Sequence, residues 1–174
     1  MKIPSLTDLN NDRKEGLRPS VVCCCVNEKQ LLMLHKKEYN LWMLPQGGIN
    51  NKESVEDALF RELEEEMGTA FVKNCEREFL VFGEDVIEFL PGKHGVDALK
   101  TDDDEEVEMI GKKFYFCGVA CLNKEFDIKK TEFSDYFWLA HSGAKGLADK
   151  IYQRGKRRVT LKIVELLKEN ELIS

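Results

Sequence analysis

Apolar and polar positions change their period several times along the chain, and each change predicts an element. After sixteen mostly polar residues, Arg18-Pro19 leads into two dense apolar runs, SVVCCCV and QLLMLHK, separated by Asn27-Glu28-Lys29. Short apolar runs flanking a turn-forming cluster predict a β-hairpin. The period then lengthens. Beyond Pro45-Gln46-Gly47-Gly48, apolar residues recur at Val55, Leu59 and Leu63, one face of a helix, with Ala58 beside them. Ser54 precedes Asp57 at the capping-box spacing, which starts this helix, and Gly68 ends it. Further strands are expected over 78–82, 86–89, 113–122 and 136–139. Residues 90–108 contain Pro91, two glycines and the acidic run DDDEEVE, and read as a long, solvated loop between strands. Helices are expected over 142–152 and 156–170, the second carrying the stripe Val159, Ile163, Leu166 and Leu167. Residues 1–16 read as a flexible arm, with at most a helical turn over 6–10. Residues 17–174 read as one domain of mixed α/β class.

Composition narrows the function classes. At 174 residues one core is expected, and no apolar run approaches the roughly 18 residues of a membrane span. The amino terminus has no apolar run after its first charge, so it does not read as a secretory signal; the cytoplasm is the expected compartment. Of the six cysteines, Cys23, Cys24 and Cys25 are adjacent, and Cys75, Cys117 and Cys121 show no CxxC spacing. Neighbours on a strand face opposite sides, so the triplet cannot converge on one ion, and free buried thiols are expected. The net charge of −6 gives no global attraction to nucleic acid, though local charge can still matter. No obligate protein partner is evident.

The helix after the Gly-Gly turn contradicts its own pattern. Glu62 and Glu66 fall within the stripe of Val55, Leu59 and Leu63, and Glu65 sits on its border. Inward carboxylates need a compensating cation. Arg61, the one basic residue within the helix, cannot neutralise three glutamates, whereas a divalent metal suits oxygen ligands and bridges to phosphates. A solvated acidic face is the plain alternative. Against it stand the glycines, which permit close approach of a ligand, and Glu53, within reach of Arg61.

These residues carry a family resemblance. Gly47, Glu53, Arg61, Glu62, Leu63, Glu65, Glu66, Gly68 and Thr69 stand at the spacing of the signature of the Nudix hydrolases, Thr69 departing as a polar residue where an aliphatic is usual. The resemblance implies an α/β/α sandwich with a mixed central sheet. It implies that Glu62, Glu65 and Glu66 bind Mg²⁺ or Mn²⁺, with the Gly47 carbonyl as a further ligand, and that Arg61 and Glu53 pair to hold the loop against the helix. The flanking sequences LRPSV, LWMLPQGGI, GKKF and TEFSDYFWL resemble the group containing RNA 5′-pyrophosphohydrolases and asymmetric dinucleoside polyphosphate hydrolases. In that group Glu132 matches a glutamate that supplies a metal ligand or assists water. Arg18, Lys36 and Lys156 match basic contacts to the polyphosphate, and Gln46 belongs to the Pro-Gln-Gly-Gly turn.

The implied reaction is metal-assisted hydrolysis of a phosphoanhydride, with Glu66 favoured over Glu132 as the proton acceptor. An RNA 5′ end is the first expected substrate and diadenosine tetraphosphate the rival. A nucleotide-sensing module without catalysis is the reading from another class, and it would be expected to lack one or more of the glutamates. Tyr39 is a stacking candidate, whereas Trp42 is expected in the core. Arg154, Lys156, Arg157 and Arg158 suit a phosphate-rich ligand or, equally, a solvated helix face.

Overall fold

A computed structural model describes residues 1–90 and 98–174. Its centre is a mixed sheet built on β1 (Leu17–Asn27), which runs parallel to β8 (Gly111–Cys121) over ten pairs, from Leu17 opposite Gly111 to Val26 opposite Ala120. On its other edge β1 has two antiparallel partners: β4 (Gln46–Gly48) along Ser20–Val22, then β2 (Gln30–Lys36) at Val26–Asn27. β3 (Leu41–Met43) and β9 (Asp135–Leu139) also pair with β2, and β5 (Cys75–Glu88) pairs antiparallel with β8. The expected hairpin turns at Glu28 and Lys29, both with positive φ, as a tight antiparallel connection requires.

Alternation along β1 makes two cores. Val21, Cys23 and Cys25 face α2 (Val55–Met67), whose Val55, Ala58, Leu59, Leu63 and Met67 are buried. Val22 and Cys24 face the other way, towards α4 (His141–Ala148) and α5 (Arg154–Glu169), where Val159, Ile163, Val164 and Leu167 are buried. This is the α/β/α sandwich the resemblance implied. A short helix, α3 (Thr69–Lys73), follows α2 directly. All six cysteines are free and buried.

Three expectations are corrected. Residues 6–14 are not a loose arm but helix α1 (Leu6–Lys14), begun by a reciprocal Ser5–Asp8 capping box. Its inward positions are Leu9, Asp12 and Arg13, so the buried face is mostly polar and leaves no apolar stripe. Asp12 accepts bonds from Lys113 Nζ at 3.0 Å and from the Tyr115 hydroxyl, which docks α1 on β8. Second, 78–82 and 86–88 are parts of one strand, β5, and the expected 86–89 strand ends at Glu88, one residue short of Phe89. The Gly83-Glu84-Asp85 stretch has turn-like composition, yet it continues the ladder after a register shift, and Asp85 is paired with Arg158 at 2.5 Å. Third, the 90–108 insertion is not wholly a solvated loop. β6 (Ala98–Lys100) and β7 (Glu106–Glu108) form a two-stranded ribbon, Thr101 is buried, and Asp102 is bonded inward. Pro91 and its two glycines lie outside the described residues.

Candidate active site

The site is assembled where β4 passes over α2. The Ile49 amide donates to Pro19 O at 2.9 Å and the Cys23 amide to Pro45 O at 2.8 Å, fixing β4 on β1. Ser54 caps α2 by accepting the Asp57 amide at 3.1 Å, which sets the rotation that turns Glu62 beneath Gly47. The approach is close: a Cβ on Gly47 would lie 1.9 Å from the Glu62 carboxyl carbon, so a larger residue would displace that carboxylate. Glu62 is 8% exposed.

Arg61 organises the carboxylates around it. Its Nε and one terminal nitrogen grip Glu53 at 2.7 and 2.8 Å, that nitrogen also donates to Gly48 O at 2.8 Å, and the other reaches Glu62 at 2.6 Å and Glu65 at 3.4 Å. A planar fork suits this divided task better than an ammonium would. The Glu53 bond above all holds the Arg61 pKa well above its ordinary value. Burial works to raise the Glu53 pKa, but Arg61 and the Asn50 amide outweigh it, and Glu53 lies below the usual range.

Glu66 lies outside the reach of Arg61. Its carboxylate accepts the Gln46 amide at 3.0 Å, and burial, reinforced by the Glu62 charge, pushes its pKa up to about 7. Glu132 stands next to it in the fold, since its amide donates to Glu66 O at 2.8 Å. The Glu132 carboxylate is exposed and binds Lys36 Nζ at 2.6 Å. Burial opposes the Lys36 charge, but the bond to Glu132 wins and raises the Lys36 pKa.

An open cleft of about 730 Å³ joins Glu66 and Gly47 to Arg18, Lys36, Tyr39, Gln46 and Lys156, bringing together every expected substrate contact. Lys112 and Phe114 also line it and were not anticipated from the sequence. The signal for Lys112 is the parallel register that sets Arg18 opposite Lys112, a non-local pairing, although both residues lie in segments that carry the resemblance. Burial, with Arg18 and Lys156 nearby, lowers the Lys112 pKa, and burial lowers that of Lys156. A larger groove of about 1070 Å³ lies at the opposite end of β1, but among the described residues Glu28, Glu76 and Glu78 line it with Lys29 as the one cation, which does not suit a polyanion.

A family model for the NUDIX domain matches residues 16–161. The chain belongs to the Nudix family. It is 49% identical over 55 residues to an RNA pyrophosphohydrolase of Marinomonas sp. (strain MWYL1), a match covering 31% of this chain and 34% of that protein. The chain therefore spans about a third of the length of the curated relatives it matches. The E. coli dihydroneopterin triphosphate pyrophosphohydrolase superposes with a TM-score of 0.57 at 16% identity, over 86% of this chain and 97% of that one. A C. elegans Ap4A hydrolase does so with a TM-score of 0.55 at 11% identity, over 88% and 97%. At such identities these two show the fold alone.

Nudix hydrolases generally use divalent metal ions. The donor set here fits one. Glu62, Glu65 and Glu66 are hard oxygen donors, the Gly47 backbone lies against Glu62, and Glu66 is a partly buried carboxylate that forms no ion pair among the described residues. Among the described residues no three such groups converge on a common point as they stand. Glu62 and Glu65 are turned to Arg61, Glu66 to the Gln46 amide and Glu132 to Lys36.

The remaining candidates divide. Tyr39 is 51% exposed at the cleft mouth, with its carbonyl accepting the Tyr152 hydroxyl at 3.1 Å. Trp42 is half-buried and stacked on Phe137 with centroids 5.2 Å apart, as a packing residue. In the basic cluster Lys156 faces the cleft while Arg158 is engaged by Asp85 and the Val86 carbonyl. Thr69 is exposed and donates to Glu64 at 2.9 Å, which accounts for a polar residue at that place.

Proposed function

We propose that this protein hydrolyses a phosphoanhydride of a nucleoside polyphosphate, with the triphosphorylated 5′ end of RNA as its substrate, leaving a monophosphate. The observation that carries the reading is the cleft itself: Arg18, Lys36, Lys112 and Lys156 line the same concavity as Glu66. Even with Lys36 paired to Glu132, the excess of cations among the described lining residues suits a chain of phosphates rather than a neutral ligand. The RNA choice is supported by the relatives that share the box and its flanks, which bear the name RNA pyrophosphohydrolase.

Glu62, Glu65 and Glu66, with the Gly47 carbonyl and Glu132, would hold Mg²⁺ or Mn²⁺. When bound, such an ion neutralises phosphate oxygens and lowers the pKa of water. The chain's own part is positioning and proton transfer. Arg18, Lys112 and Lys156 bind the phosphate oxygens and share the charge that develops on the leaving group. Glu66, at the cleft beside Gly47 and Gln46, is the carboxylate placed to take a proton from the attacking water. Arg61 and Glu53 keep the loop and helix in register while the carboxylates turn inward. Retention of all the box glutamates argues against a sensing module that binds without cleaving. We place the protein in the cytoplasm, on the support of six unpaired thiols; no described helix is long and apolar enough to cross a membrane.

The test is to incubate triphosphorylated RNA with the protein and Mg²⁺ and assay the product with an exonuclease that requires a 5′-monophosphate. Degradation by the exonuclease with wild type but not with Glu66→Gln supports the reading. Intact triphosphate ends after prolonged incubation would contradict it.

A further inference from the structure

Arg13 and Asp102 lie outside the Nudix box, yet both are bonded to its loop. Arg13 is 2% exposed and donates to Ile49 O at 3.1 Å, Asn50 O at 2.8 Å and Asp102 at 3.2 Å. Asp102 also accepts the Asn51 side-chain amide at 2.9 Å and the Lys52 backbone amide at 3.1 Å, while its own amide donates to Asn10 at 2.7 Å. Asn51 donates to Lys100 O at 2.9 Å as well. Every residue from Ile49 to Lys52 is thus tied to α1 or to the 98–108 insertion. Lys52 has φ of 60°, a left-handed conformation disfavoured for an L side chain, and Asp102 holds its amide.

The same loop is bonded to the site. The Asn50 amide donates to Glu53 at 2.7 Å, Glu53 grips Arg61, and Arg61 holds Gly48 O and Glu62. A continuous chain of charged and backbone groups therefore runs from the acidic insertion, through a buried guanidinium, to the expected ligands.

We infer that Arg13 and Asp102 are positioning residues for the metal-binding loop, fixing the 47–53 segment so that the Gly47 carbonyl and Glu62 carboxylate are held ready for a divalent cation. This rests on the metal reading above. A loop carbonyl serves as a ligand only if its peptide plane is held to a fraction of an ångström, and two successive carbonyls gripped by one guanidinium cannot swing away. A single ammonium nitrogen does not reproduce this spread, in which one terminal nitrogen of Arg13 serves both carbonyls and the other the carboxylate. The acidic insertion thereby acts on the site without touching substrate. Its neighbours have a lesser part: Asp103 pairs with Lys14 at 2.9 Å and Asp104 with Lys100 at 3.2 Å, all well exposed.

The test uses the full chain without substrate, titrated with Mn²⁺ while the free-ion signal is followed by electron paramagnetic resonance, alongside thermal unfolding. Arg13→Lys and Asp102→Ala should weaken Mn²⁺ binding about tenfold or more, the range found when partners of metal ligands are lost. Lys14→Ala breaks the exposed link between the same two segments and should leave Mn²⁺ affinity unchanged. If Arg13→Lys does not fold, Asp102→Ala decides alone. Folded variants with wild-type Mn²⁺ affinity would overturn the inference, as would an equal loss in Lys14→Ala. A wild type that binds no Mn²⁺ would remove the metal reading and this inference together. A wild type that binds Mn²⁺ but does not cleave RNA would remove only the proposed function, and weakened binding by the two variants would still support the inference.

Discussion

Replacing Glu66 by Gln in the metal-free protein should stabilise the fold at alkaline pH. Glu66 is partly buried at the floor of the cleft, where it accepts the Gln46 amide and meets the charge of Glu62. Its pKa rises from 4.5 to about 7, and at about 1.4 kcal/mol per unit the ionised form costs the native state about 3 kcal/mol. The sign follows from linkage. The native state holds this proton more tightly than the unfolded chain, so the wild type loses stability as pH rises from 4.5 through 7, and the full penalty is present above about pH 8. Glutamine carries no such charge and keeps an oxygen for the Gln46 amide. Urea unfolding in EDTA at pH 8 should therefore find the variant more stable by about 2–3 kcal/mol, shrinking to about 1 kcal/mol or less at pH 5. Added Mg²⁺ or Mn²⁺ should stabilise the wild type, by about 2.7 kcal/mol at a hundredfold excess over its dissociation constant, and the variant much less. Equal midpoints at pH 8, or a gap that does not change with pH, would refute the claim that Glu66 is a desolvated carboxylate.

Other perturbations separate the parts of the site. Arg61→Lys loses the fork shared between Glu53 and Gly48 O, and should cost about 2 kcal/mol in urea unfolding; a loss below about 0.5 kcal/mol would mean the pairing does not hold the loop. Gly47→Ala places a Cβ 1.9 Å from the Glu62 carboxyl carbon, and should reduce turnover about a hundredfold in a protein that circular dichroism shows to be folded. Lys112→Ala should raise KM for a triphosphorylated substrate about tenfold with kcat nearly unchanged; an unchanged KM would remove Lys112 from the phosphate contacts.

Much of this site was legible because it is local in sequence. The box glutamates, Arg61 and the glycines sit within one loop and one helix, where helical spacing puts Glu62 and Glu66 on the inward stripe; that Glu62 lies beneath Gly47 depends on β4 passing over α2. The hairpin and α2 were legible for the same reason, through a short turn and a capped 3.6-residue period. What escaped was non-local or polar. Lys112 reaches the cleft through a parallel pairing of β1 with β8 across more than half the chain. Helix α1 was missed because its buried face carries Asp12 and Arg13, whose partners are Lys113, Tyr115 and backbone carbonyls that hydropathy does not register; the Ser5–Asp8 spacing was the available signal. The acidic insertion read as solvated since nothing in DDDEEVE marks Asp102 as the residue that turns inward. Gly83-Glu84-Asp85 read as a break because its charges meet Lys113, Arg158 and Lys162 only in the folded chain.

The central claim is tested most directly by comparing kcat/KM of the purified wild type, in Mg²⁺, for a triphosphorylated RNA oligonucleotide and for diadenosine tetraphosphate, with Glu66→Gln run beside it. The account predicts faster release of phosphate or pyrophosphate from the RNA, and a loss of several orders of magnitude in the variant. Preference for the dinucleotide would retain the chemistry and overturn the substrate, and wild-type turnover by folded Glu66→Gln protein would contradict the account at its centre.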